Sequence, residues 1–120
     1  MNRRLLALSF VALALAACGG PNKNEREADK ITRAVIANDM KPVIDDFDPA
    51  IKASITRVRV AQLSDELSAQ GAYKGLKEND QNCATGFLCF DVQFEKKPYR
   101  ERMKVGSDGK VQAWSIHSVQ

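Results

Sequence analysis

Phe87-Leu88-Cys89-Phe90-Asp91-Val92-Gln93-Phe94-Glu95 decides the fold. In an extended chain Leu88, Phe90, Val92 and Phe94 fall on one face, and Cys89, Asp91, Gln93 and Glu95 on the other. A strand with one buried and one solvated face reads this way. Downstream, Lys96-Lys97-Pro98 turns the chain, and Tyr99, Met103 and Val105 then alternate with Arg100, Arg102 and Lys104. Gly106-Ser107-Asp108-Gly109 is a hairpin turn that places glycine at positive φ. The last strand, Lys110 to Val119, carries Val111, Ala113, Trp114 and Ile116. Its apolar phase slips between Ala113 and Trp114, which predicts a bulge there. Upstream, Ala72 to Glu78 offers Tyr73 and Leu76 to a first strand, followed by the loop Asn79 to Gly86.

Before Gly71 the period is helical. Ala28, Ile31, Ala34, Val35 and Asn38 fall at helical spacings, and Glu25, Glu27 and Asp29 crowd an N-terminal turn where the helix dipole favours them. This predicts a helix over Glu25 to Asn38. Asp39 can cap a short second helix with Pro42 in its first turn and Val43, Ile44 and Phe47 buried. Asp48-Pro49 repeats that start signal for a brief turn through Ala50, Ile51 and Ala53. Thr56 caps the longest predicted helix, Arg57 to Gln70, whose apolar stripe is Val60, Leu63 and Leu67 with Val58 and Ala61 alongside, and Gly71 stops it. Helices followed by an antiparallel meander make the class α+β: N-terminal helices on one face of a curved antiparallel sheet of three or four strands.

The chain begins with Arg3 and Arg4, then an uncharged run from Leu5 to Ala17, ending in Leu15-Ala16-Ala17-Cys18. This run is too short to span a bilayer, which takes roughly 20 residues. It has the three parts of a secretory signal, and its end resembles the lipobox of bacterial lipoproteins. That resemblance implies cleavage between Ala17 and Cys18 and acylation of Cys18, hence a membrane partner reached through the lipid. Gly19, where the related inner-membrane retention signal has aspartate, implies the outer membrane. Residues 1–17 are thus read as signal, 18–24 as lipidated cysteine and linker, and 25–120 as a single globular domain. Cleavage would leave 103 of the 120 residues, with 16 Lys plus Arg against 15 Asp plus Glu. Such a balance lacks the basic excess that nucleic acid demands, so no nucleic-acid partner is expected. Cys83 and Cys89 would remain, an even number that reads as a disulfide in an oxidising compartment, with two free thiols or half a metal site as alternatives. His117 is the only histidine, so no metal or other cofactor is expected.

Several pieces of the mature half carry a second likeness. They are the run from Ala34 to Met40 before Phe47-Asp48-Pro49, the helix end Leu67-Ser68-Ala69-Gln70-Gly71-Ala72-Tyr73, Phe90-Asp91-Val92-Gln93-Phe94, and Asp108-Gly109-Lys110-Val111. Together they resemble the nuclear-transport-factor-2-like, cystatin-like superfamily, in particular its small bacterial lipoproteins of unknown function. The resemblance implies a cone-like roll that can enclose a pocket. It implies no activity, because that superfamily hosts enzymes and binding modules alike.

Catalytic residues are not assigned. Asp91 and His117 are the obvious acid–imidazole pair, of a kind that isomerases and dehydratases of the superfamily use inside the cone. Alternation, however, turns Asp91 away from the core face, and His117 stands near a terminus. Tyr73, Phe90, Phe94 and Trp114 line either a pocket or the core. Arg100, Arg102 and Lys104 read as a solvated face interleaved with Asp91, Glu95 and Glu101, or as a surface for anionic head groups or an acidic partner. Asp45, Asp46 and Asp48 lack the glycine and distal glutamate of a calcium loop. The expected function is a non-catalytic envelope-binding domain, for a protein partner or a small apolar ligand. A small isomerase or hydrolase acting on a lipophilic molecule is one alternative. An enzyme inhibitor presenting the loop Asn79 to Cys89 is another.

Overall fold

The structure, a computed structural model, describes residues 20–119. Ala17 and Cys18, the expected cleavage and lipidation site, lie outside the described residues. Asn22 starts the fold: its side chain accepts from Glu25 N at 2.8 Å while Glu25 Oε1 accepts from Asn22 N. This capping box sets the first turn of α1 (Lys23–Ile36). The expected linker therefore loses its last residues to the helix, because Asn22-x-x-Glu25 is itself a helix-start signal. α1 also ends earlier than Asn38. Asn38 adopts φ +54°, and the Asn38 N→Val35 O and Asp39 N→Ala34 O bonds close the end.

No Asp39-capped helix follows. Asp39 Oδ1 accepts from Lys41 N at 3.1 Å, the amides of Val43 and Ile44 both reach Met40 O, and only a single 3-10 turn forms over Ile44–Asp46. Val43 and Phe47 are nevertheless buried as expected. Asp48 accepts from Ala50 N to cap α2 (Pro49–Lys52). Thr56 accepts from Arg59 N to cap α3 (Arg57–Ser68), so among the described residues the longest helix is α1 and not α3. Within the α3 stripe only Leu67 is fully buried, and Val58 is 66% exposed rather than packed alongside. Gly71 turns the chain at φ +81°, and a Cβ there would stand 2.7 Å from Glu95 Oε2.

β1 (Tyr73–Glu78), β2 (Leu88–Phe94), β3 (Pro98–Val105) and β4 (Val111–Ser118) form one open antiparallel sheet in the order β1-β2-β3-β4. With the three helices, this makes the domain α+β. α1 lies on β1 and β2, and α3 packs against α1. The core joins Ala28, Ile31 and Val35 to Phe47, Leu67, Phe90, Val92, Phe94, Tyr99, Met103, Val111 and Ile116. Burying one such Phe or Leu side chain contributes roughly 1.5–3 kcal/mol. The bulge in β4 falls one step earlier than expected. Lys104 pairs with Ala113 but Val105 with Val111, so Gln112 is the extra residue and Trp114 and Ile116 both return to the helix side.

Cys83 and Cys89 form a disulfide with Cα atoms 5.8 Å apart. Neither the free-thiol nor the metal-ligand alternative holds for them. Closing so short a loop is worth about 2 kcal/mol in the chain-entropy estimate. The bridge fastens the loop between β1 and β2 onto the outer face of the sheet, where it leaves Cys89 only 1% exposed. No helix among the described residues is long and apolar enough to cross a membrane.

Candidate functional site

Along β3 the core phase runs through positions 99, 101, 103 and 105, and residue 101 is a glutamate. Glu101 is fully buried, which corrects its expected place on the solvated face. Cross-strand pairing sets it between Phe90 and Ile116. Trp114 Nε1 donates to Glu101 Oε1, and Thr32 Oγ1 of α1 stands 2.7 Å from Glu101 Oε2 and 2.8 Å from the Ala28 carbonyl. One hydroxyl proton cannot serve both oxygens. If Thr32 donates to Ala28, the carboxyl group must be protonated and donate to Thr32, and every group is then satisfied. Burial agrees: it pushes Glu101 up to about 8 and the Asp29 carboxylate adds to the rise, while the bond from Trp114 opposes it. In that arrangement Glu101 fixes the indole of Trp114 as a neutral acid.

Trp114 in turn floors a cleft of about 760 Å³. One wall is α3 with Arg59, Val60, Gln62, Leu63 and Glu66. The floor and near end come from Val35, Met40, Phe47, Ile51 and Ile55. The opposite wall is β4, from Gln112 to His117 without a gap. The volume lies within the usual range of ligand sites, and the mix of apolar floor and a few polar rim groups is typical of them. Glu101 does not line the cleft; Trp114, its donor, does.

The expected aromatic set divides. Phe90 and Phe94 are core. Tyr73 packs its ring 5.6 Å from Phe94 and donates to Asp29 Oδ1 at 2.7 Å, with the Arg33 guanidinium over its face. Burial and that bond push the phenol pKa upward. Only Trp114 reaches the cleft.

Asp91 and His117 both lie on the outer face, on strands separated by β3. Asp91 pairs with Arg100 and Arg100 with His117, so the two stand about 10 Å apart, two strand spacings. Asp91 is occupied: Asn79 donates to it at 2.8 Å and Arg100 bridges it at 2.8 Å, and these partners lower its pKa. His117 is exposed at the rim of the cleft. Arg102 lies over the Phe87 ring, with Lys104 exposed beside it. Asp45 and Asp46 pair with Lys52 and Lys30, and Asp48 caps α2. The described residues hold no cluster of three or more groups fit for a metal ion.

Sequence reasoning missed Glu101 and most of the cleft's lining, though the resemblance implied a pocket and Trp114 was among the residues set to line one. The signal for Glu101 was its phase with Tyr99 and Met103. The rest of the lining had none, since it comes from stretches far apart in the chain. In comparisons with protein families, curated proteins and solved structures, the chain matches none.

Proposed function

We propose that the chain is a lipid-anchored, periplasm-facing domain of the bacterial envelope that works by binding in the cleft between α3 and β4, without chemistry of its own. Cleavage after Ala17 and acylation of Cys18 would hold it to the membrane, the outer one by the Gly19 reading. The Cys83–Cys89 disulfide supports an oxidising compartment. A cone-like roll of the nuclear-transport-factor-2-like, cystatin-like kind would account for helices over one face of the sheet with a cleft between them.

The observation that carries the reading is the cleft itself: an apolar floor and a polar rim on which Arg59, Glu66 and His117 stand. Position supports it too. The tether enters beside β1, where Asn22 donates to Glu78, while the cleft lies along β4 at the opposite edge of the sheet. A partner in the periplasm could therefore reach it past the anchor.

Trp114 is the only tryptophan, so its fluorescence reports occupancy directly. A neutral phenylnaphthylamine probe is expected to bind, quench Trp114 by energy transfer, and lose at least about tenfold in affinity in Leu63→Lys, where a charge enters an apolar wall. Equal retention of the probe by both proteins, or by neither, would remove the cleft from the account.

A further inference from the structure

We infer that the ligand of this cleft is an extended peptide segment that pairs with the free edge of β4 as a fifth strand, with apolar side chains inward and acidic ones outward. The inference rests on the binding reading above. Side chains of a strand alternate between faces, so a cleft set against a face is lined by every second residue. Here six consecutive residues, Gln112 to His117, line it. The strand is met edge-on, and its backbone is part of the wall.

The outer edge of that backbone is unpaired among the described residues. Val119 N donates to Pro98 O at 3.1 Å, and in an antiparallel pair the bonded residues alternate. Residues 117, 115 and 113 thus face β3, while Trp114, Ile116 and Ser118 aim their N–H and C=O groups at the cleft. Among the described residues nothing hydrogen-bonds to them there. The fifth-strand position is already begun: Phe47 bridges Val111 in parallel and Asp48 N donates to Val111 O at 2.8 Å. Pro49 then turns the chain into α2 and leaves the remainder of the edge open. The open stretch, Gln112 to Ser118, spans roughly 20 Å at about 3.3 Å per residue, room for five or six paired residues.

Inward side chains of such a strand would meet Val60, Leu63 and Trp114. Outward ones would meet Lys104, exposed beside the small Ala113, and His117. With Arg59 on the far wall, the surroundings favour a negative segment; Glu66 is the single acid of the lining. A second copy fits poorly, because α3 stands across the cleft and both edges would bring Arg59 and Lys104 with them. Strand addition of this kind draws affinity from main-chain bonds and specificity from alternate side chains.

The test uses a fluorescein-labelled hexapeptide alternating valine or leucine with aspartate, and the same peptide N-methylated at alternate residues along its bonding edge. Anisotropy should show the first binding and the second at least tenfold weaker, with Leu63→Lys weakening the first. Equal binding of the two peptides overturns strand pairing. So does a failure of both while the phenylnaphthylamine probe still binds, which leaves the cleft reading intact; failure of probe and peptides together sinks that reading as well. Concentration-dependent dimers in sedimentation, lost in Leu63→Lys, would name a second copy as the occupant and overturn the peptide.

Discussion

Glu101→Gln is expected to make the protein more stable above about pH 8 and to change it little near pH 5. A glutamine keeps the shape and both bonds, donating to Thr32 and accepting from Trp114. What it removes is ionisation. The folded pKa of Glu101 is raised to about 8, against 4.5 ordinarily, so between those values the folded chain holds a proton that the unfolded chain has released. Stability from this group is therefore fully present below the unfolded pKa and is lost as pH rises through the folded one. The loss is at most about 1.4 kcal/mol per pH unit, and over this window it sums to roughly 5 kcal/mol. Glu27, raised to about 7 by burial and by Asp46, slopes the same way and remains in the variant. The variant's profile should accordingly be shallower by one proton, not flat. Urea midpoints at acid, neutral and alkaline pH measure this. An equal loss of stability in Glu101→Gln at every pH would mean that Glu101 is held as a carboxylate.

Cys18→Ala is expected to empty the membrane fraction. One buried chain, at about 0.8 kcal/mol per methylene, gives only marginal and reversible binding, whereas several chains hold effectively for good. The variant should appear as unprocessed precursor or as free protein. Because Asn22 already caps α1, only residues 19–21 would be left as tether, with a reach of roughly 10 Å. Fractionation of cells expressing the variant decides it. A Cys18→Ala protein that matures and fractionates like its parent would contradict the lipobox reading.

Much of the fold was legible because it is written in local periods. Alternation in Leu88–Phe94 gave the central strand, and Asp48-Pro49 and Thr56 gave two helix starts. The Asn22-x-x-Glu25 box was equally legible, but composition had assigned it to a linker. Glu101 shows charge and phase in conflict: period two set it inward, its carboxyl argued outward, and its bonds with Thr32 and Trp114 let phase prevail. The bulge was sensed from the slipped apolar phase, yet its position at Gln112 depends on pairing with β3. Of the cleft, only Trp114 and the implied pocket were legible. Val35, Ile55, Leu63 and Trp114 each satisfy an ordinary core pattern, and only the stand-off of α3 from β4 separates them from a filled core.

The most direct measurement of the central claim is backbone hydrogen exchange at Trp114 and Ile116. An open edge leaves their amides free, so in the isolated protein they should exchange far faster than those of Ala113 and Ser115, which face β3. Adding the alternating valine/leucine–aspartate hexapeptide should slow them to the level of their neighbours. If Trp114 and Ile116 are already as protected as Ala113 and Ser115 in the free protein, the edge is covered, and the account of this cleft as a binding site for an added strand is wrong.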